Sequence, residues 1–399
     1  MTSSIRALRL LALAALVPAL VAGASGFDRR GGEGTARGEP VFVTTGDGLV
    51  LAVETVVSGL DTPWDMVWAP DGAMWVTERP GRISRIDVGT GERTVVGELD
   101  VVEVSESGLM GMAFHPGFPA EPWVYAVHSY STGSGRRAIG NRLVRMRWEG
   151  GRLGSPQVLL DGMPGNSNHN GSKITFGPDG MLYLTMGEAG NRPLAQDLSS
   201  LGGKVLRLTP EGRPAGGNPF GTAVWSYGHR NPQGLVFDRG GRLYSAEHGP
   251  NTDDEVNRIL EGRNYGWPAV AGFCDTPGEQ EFCRANRVVE PVESLTPTVG
   301  ISGIDAYDGG AIPGWRGSLL VTSLGFRGRG ATLFRIELNA AGDRAARTER
   351  LFAREFGRLR DVLVGPDGAV YLATSNQDGR GQPGPGDDRI LRVTAAPGG

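Results

Sequence analysis

The sequence predicts an all-β protein: a six-bladed β-propeller with four-stranded antiparallel blades around a central channel. Three observations lead there. Gly and Pro are abundant, 64 and 26 of 399 residues, while apolar and aromatic residues are spread along the whole chain. That is the pattern of short strands joined by many turns rather than of disorder. Helical periodicity is nearly absent, with at most a turn or two around Leu194–Gly203. One phrase, a Pro-Asp-Gly turn or a relative of it followed by an alternating strand, recurs six times.

The copies run WAPDGAMWVTER at 68–79, FHPGFPAEPWVYAVHS at 114–129 and FGPDGMLYLTMGE at 176–188. They continue as FDRGGRLYSAEHG at 237–249, GWRGSLLVTSLG at 314–325 and VGPDGAVYLATSN at 364–376. In each, a turn glycine can take positive φ, and the residues after it alternate with period two. Several copies lead into a second strand, such as GRISRID, GKVLRL, ATLFRIEL or DRILRV. Repeats of roughly 45 to 75 residues built of strands alone fit one four-stranded sheet each. An open pair of sandwich sheets is the competing architecture, and the regular repetition disfavours it. In a propeller the loops at one end converge on the channel, so residues distant in sequence can share one pocket.

Residues 1–24 read as a signal peptide: Arg6 and Arg9, the apolar run LLALAALVPALVAG, then Ala22-Gly23-Ala24 at the cleavage site. The short run and its Pro disfavour an uncleaved anchor. Residues 25–45 read as a flexible leader, and 46–396 as the propeller domain. No later apolar run approaches membrane-spanning length, so the expected location is periplasmic, cell-envelope or secreted. A net charge of −4 and a pI near 5.8 give no basic field for nucleic acid. Cys274 and Cys283, the only two cysteines, sit nine apart in the loop-like FCDTPGEQEFC, and export makes a local disulfide the expected state.

Chemistry concentrates between Trp225 and Pro268. Arg230 and Asn231, in GHRNPQG, present a guanidinium and a carboxamide side by side on a turn, suited to an anionic or carbonyl-bearing ligand; an inter-blade ion pair is the plainer reading. Gly249-Pro250 offers carbonyls at a sharp turn, with Asp253-Asp254-Glu255 close behind; such oxygens suit a hard cation, although charge runs are commonly just wet surface. His229 and His248 lack zinc-ligand spacing, and His229 reads as a turn-packing residue. Outside the segment, His169 in GNSNHNGSK is a loop histidine placed where it can take a proton near neutral pH, or is simply solvated. Arg358 and Arg360, in GRLRDV, alternate on a strand and so point to one side, toward a polyanion or toward solvent.

From about Gly59 to Val393 these phrases resemble the soluble PQQ-dependent glucose/aldose sugar dehydrogenases, quinoproteins built as six-bladed propellers. GHRNPQGL, EHGPNTDDEVN, GRNYGWP and GRLRDV carry the resemblance in that order. It implies PQQ and Ca2+ as cofactors and oxidation of the anomeric carbon of an aldose to a lactone. Electrons would pass to an external acceptor (quinone, cytochrome or dye), the protein acting as monomer or homodimer. It implies His169 as the base, Arg230 and Asn231 at the quinone edge, and Arg358 and Arg360 on the cofactor carboxylates. The carbonyls of Gly249 and Pro250 would bind calcium, Glu255 and the backbone of Tyr265 would form a second, structural calcium site, and Thr298 would be a minor cofactor contact.

Three positions depart from the family pattern. Glu106 replaces Gln, and a carboxylate there repels an anionic cofactor unless it is protonated or paired. The Lys expected after the SL of the fifth repeat is missing, with Arg327 or Arg329 as the substitute. Asn168 replaces an Asp before the base, which leaves His169 without a positioning carboxylate. A propeller binding module and a calcium-dependent lactone hydrolase are the rival functions; the first is opposed by retention of His169, Arg230, Asn231, Arg358 and Arg360, the second by channel motifs rich in cations and backbone carbonyls.

Overall fold

The repeated phrase is the first hairpin of each blade. In the computed structural model, which describes residues 39–133 and 138–397, the turns carrying Gly72, Gly180, Gly241 and Gly368, at φ from +73° to +83°, join an innermost strand to the next one out. Blade 1 has strands Pro63–Trp68, Met74–Glu78, Arg82–Ile86 and Arg93–Glu98. Blade 2 has Leu109–Phe114, Trp123–Ser131, Ile139–Arg147 and Gln157–Pro164, and blade 3 has Gly171–Phe176, Leu182–Met186, Lys204–Leu208 and Val224–Tyr227. Blade 4 has Pro232–Phe237, Leu243–Glu247, Asp254–Ile259 and Glu293–Leu295, and blade 5 has Ile301–Tyr307, Ser318–Ser323, Leu333–Leu338 and Ala345–Leu351. Every pairing is antiparallel, so the six-bladed expectation holds.

Blade 6 closes the ring. Its inner strands Leu359–Val364, Val370–Thr374 and Ile390–Ala395 come from the end of the chain, and Val50–Val57 pairs with the last of them. Val41–Thr44 then adds a fifth, outermost strand. Residues 41–44, within the leader expected over 25–45, form this strand: a Val-Phe-Val-Thr run of high β-propensity that pairs on an open edge. The expected signal peptide, residues 1–24, lies outside the described residues.

Among the described residues there is one α-helix, Pro277–Asn286, which periodicity does not reveal: none of its residues is buried, so it carries no apolar stripe. Its caps define it instead. Thr276 and Glu279 form a capping box and Pro277 occupies the first turn. The Cys274–Cys283 disulfide ties this helix to the loop before it.

Apolar side chains fill the wedges between blades; Trp315, fully buried, packs with Tyr307, Leu320, Leu333, Leu359 and Leu372 between blades 5 and 6. Around the channel, polar groups link neighbouring blades. The Asp65 carboxylate of blade 1 accepts the Met112 N–H of blade 2 (2.8 Å), Asp361 of blade 6 accepts Met66 N–H (2.9 Å), and Asp305 of blade 5 accepts Val364 N–H (2.6 Å). Lys173 of blade 3 reaches across to Asp65 and, at 3.2 Å, to Asp361. The innermost strands approach so closely that a Cβ on Gly111 would stand 2.1 Å from the Ser172 carbonyl oxygen, which only glycine permits.

Candidate active site

All six innermost strands enter with an irregular register, at Pro63/Asp65, Leu109/Met112, Gly171/Ile174, Pro232/Gly234, Ile301/Ile304 and Leu359/Asp361. Bulges re-aim side chains, and these lie at the same end of each innermost strand. Glu106, His169, Arg230, Asn231, Arg358 and Arg360 sit on or beside these entries. Together they line one cavity of ≈ 960 Å³. Nine arginines line it against four carboxylates, Glu106, Glu355, Asp378 and Asp387, so it is built for an anion.

His169 holds φ = +57°, a left-handed conformation unusual outside glycine. Its N–H donates to Glu106 Oε2 (3.2 Å) and its carbonyl accepts from Ala189 N–H (3.0 Å). Its ring Nδ1 lies 2.9 Å from Glu188 Oε1, and the Glu188 carboxylate is almost wholly buried. The expectation that His169 lacks a positioning carboxylate is therefore corrected: Glu188, two residues past the second strand of blade 3, supplies it from a different loop than the missing Asp. With Nδ1–H donated to Glu188, Nε2 is left as the acceptor, a tautomer assigned from the hydrogen-bond network.

His229 makes the same kind of pair, Nδ1 to Glu247 Oε2 at 3.0 Å. There the ring is fully buried, its Nε2 is taken by Ser226 Oγ (2.9 Å), and it stacks on Tyr265 (4.5 Å). No ring nitrogen remains for chemistry, so His229 packs a turn, as read from the sequence.

Arg230 donates to the His248 carbonyl (2.6 Å), lies over the Trp267 ring (5.4 Å), and leaves its buried Nε without a partner. Burial pulls its pKa down against the pull of Glu188 and Glu247. Asn231 accepts Gly171 N–H on its carbonyl oxygen (3.0 Å), leaving its NH2 as the group a ligand could use. Arg358 and Arg360 both line the cavity, as their alternation predicts, but they are not equivalent. Arg358 is held by Asp378 (2.9 and 2.6 Å) and the Leu324 carbonyl (2.6 Å). Arg360 donates to the neutral Gln233 and Ser302 (2.9 and 3.0 Å), lies over the Trp64 ring (5.6 Å), and its Nε is buried and unpartnered. Burial, aided by the Arg358 and Arg79 charges, pulls Arg360 down to about 10.

Arg327 and Arg329 line the cavity from the 324–331 turn, neither in an ion pair among the described residues, with Arg327 over Phe326 (5.1 Å). Thr298 does not belong with them. It is fully buried outside the cavity lining, its hydroxyl donating to Asp254. Nor is Asp254 a free oxygen ligand: it accepts the N–H groups of Gly249 (2.8 Å), Val299 and Gly300 (2.7 Å each). A Cβ on Gly249 would fall 2.2 Å from the Thr252 carbonyl, so this tight turn requires glycine.

Gly249, Pro250 and Glu255 line a second, small recess with Asp253 and Glu247. Glu255 is buried, bonded to Gly272 N–H (2.6 Å) and Asn257 (2.9 Å), and pushed up to about 8 by burial and by Glu247. Tyr265 points elsewhere with its side chain, its hydroxyl on the Arg258 carbonyl (2.6 Å). Among the described residues no three His, Cys, Asp or Glu side chains converge as a metal site. What a hard cation would meet in this recess is backbone carbonyls beside the carboxyls of Glu247, Asp253 and Glu255.

Known proteins share this arrangement of sequence. Quinoprotein glucose dehydrogenase B of Acinetobacter calcoaceticus is 30% identical over 416 residues, spanning 82% of this chain and 86% of its own. The aldose sugar dehydrogenase of Escherichia coli is 29% identical over 82% of this chain and 91% of its own. The PQQ-bound aldose sugar dehydrogenase of Streptomyces coelicolor superposes with a TM-score of 0.75 at 39% identity, covering 87% of this chain and 98% of that one. Residues 60–391 match the glucose/sorbosone dehydrogenase family, and the chain belongs to that family of oxidoreductases.

Proposed function

We propose that the protein oxidises the anomeric carbon of aldose sugars to lactones with PQQ and calcium, passing the electrons to an external acceptor. The observation that carries this reading is the His169–Glu188 pair opening into the same cavity as the unpartnered Arg230 and Arg360 Nε–H groups. A tricarboxylate quinone fits that donor set, because a cavity with excess arginine and orphaned buried donors lacks an anion. PQQ, when bound, supplies the two-electron acceptor, and calcium supplies Lewis-acid polarisation.

The chain's own residues do the rest. Nε2 of His169 takes the proton of the sugar's anomeric hydroxyl as general base, and Glu188 fixes the tautomer and stabilises the imidazolium that forms. Arg230 and Asn231 would contact the quinone edge, where their donors would stabilise negative charge. Arg360, with Arg358 and one of Arg327 or Arg329, holds the cofactor carboxylates. The Gly249 and Pro250 carbonyls would hold the calcium, and Glu255, held high by burial and Glu247, would gain from a second cation beside it. The same reading has residues 1–24 as a cleaved export signal and the mature protein outside the cytoplasm.

The test is dye reduction by the purified protein over a panel of aldoses, with and without added PQQ and calcium. Activity requiring both additions is the expected result. Lactone hydrolysis in their absence, or no retention of PQQ on gel filtration, would overturn the reading.

A further inference from the structure

We infer that Arg380 is a positioning residue: it reaches from blade 6 across the cavity mouth to blade 2, neutralises the Glu106 carboxylate, and so lets an anion-binding cavity carry an acid beside His169. Its Nη1 lies 2.8 Å from Glu106 Oε1 and its Nη2 donates to Ser105 Oγ at 2.8 Å. The other Glu106 oxygen accepts the His169 N–H (3.2 Å), and Glu106 N–H donates to the Ser167 carbonyl (2.8 Å). One ion pair thus fastens the loop entering blade 2 and the loop bearing the base to the loop between the second and third strands of blade 6.

The base of this latch is itself held. Asp378 accepts the N–H groups of Arg380 and Gly381 on one oxygen (2.9 and 3.1 Å) and the Arg358 guanidinium on the other (2.9 and 2.6 Å). Arg380 and the carboxylate-clamping Arg358 are therefore set by the same side chain. Burial pushes the Glu106 carboxyl up, yet the charge and hydrogen bond of Arg380, together with the nearby His169 and His248, outweigh it and keep the group below the usual glutamate range. Glu106 is thus an ionised group, and Arg380 is its cationic partner at hydrogen-bond distance. Without Arg380 a bare carboxylate would face the ligand's own carboxylates. The left-handed His169 peptide would lose the fixed orientation of its acceptor.

The inference rests on the cofactor reading only for its second readout. The first uses the apo-protein: urea denaturation of wild type, Arg380→Gln, Glu106→Gln and the double variant. Arg380→Gln is expected to lower the midpoint when Glu106 is present and to leave it nearly unchanged in the Glu106→Gln background; equal shifts in both backgrounds overturn the latch. The second is PQQ affinity with calcium, read by quenching of protein fluorescence. Arg380→Gln is expected to weaken binding roughly tenfold or more, and by less than about threefold in the Glu106→Gln background. Equal weakening in both backgrounds would make Arg380 a direct cofactor contact and overturn its positioning role. If wild type binds no PQQ, the cofactor reading falls, and the apo-protein cycle still decides the latch.

Discussion

His169 is held by its backbone before its ring is used. Its N–H is on Glu106, its carbonyl on Ala189, and its φ of +57° is fixed between them. A residue kept in a sparsely populated conformation costs on the order of 1 kcal/mol or more and persists where the surroundings over-determine it. The comparison with His229 shows why the ring is available: both histidines have a buried glutamate on Nδ1, but only His229 spends Nε2 on a serine. The charge of Glu188 should therefore matter more than its shape. Glu188→Gln keeps an acceptor for Nδ1–H and removes the charge that favours the imidazolium. Turnover is expected to drop roughly tenfold or more, with the urea midpoint little changed; steady-state kinetics with saturating cofactor reads it. Undiminished turnover would strip Glu188 of its role.

At the scale of elements, one carboxylate organises the turn that carries the expected calcium carbonyls. Asp254 begins the third strand of blade 4 and gathers N–H groups from Gly249 and from Val299, Gly300 and Ile301 at the entry to blade 5. Asparagine offers one acceptor oxygen and turns a donor toward those donors. Leaving two buried N–H groups unsatisfied costs roughly 2–6 kcal/mol, so Asp254→Asn should lower stability by about that much in urea and weaken calcium-dependent activation. A variant within about 0.5 kcal/mol of wild type would mean the loop is held by other contacts. The same loop shows what a sequence can and cannot display. The six hairpins were legible because each repeats a turn glycine before a period-two strand, and the entry residues Arg230, Arg358 and Arg360 sat next to those strands. In sequence Asp254 groups with Asp253 and Glu255 as an oxygen ligand, because three acids in a row look alike until strand pairing turns alternate ones apart. Glu188 is hidden by a weaker signal: Glu78 and Glu247 close the second strand of their repeats, while Glu188 stands two residues beyond the end of its own. In the structure each takes a nearby cation or histidine, Arg93 and Arg82, His169 and His229 respectively. The helix Pro277–Asn286 was hidden for the opposite reason, having caps but no buried face.

For the ring as a whole, closure depends on charged groups that no local pattern reveals. Asp65, Lys173, Asp305 and Asp361 come from blades 1, 3, 5 and 6 and meet only when the circle is complete. Two carboxylates face the single Lys173 ammonium; burial opposes its charge, but Asp361 and Asp65 outweigh that and raise its pKa. Asp305 has no ammonium within hydrogen-bond reach among the described residues, only the N–H groups of Val364 and Ala306. Burial therefore pushes its carboxyl up to about 7, with those N–H groups and the distant Lys173 pulling the other way. Between its ordinary value near 4 and about 7, the folded protein keeps a proton that the unfolded chain has released. The unfolded state binds fewer protons in that window, so this group's share of the stability falls as pH rises through it. Asp305→Asn keeps an acceptor for Val364 N–H and removes the titration. Urea stability measured from pH 4 to pH 8 should show wild type losing ground to Asp305→Asn as pH rises, by a few kcal/mol at most, with the difference levelling off above about 7. Parallel curves over that range would show that Asp305 is already ionised in the fold, and that water or a neighbouring cation meets its charge where blades 5 and 6 join.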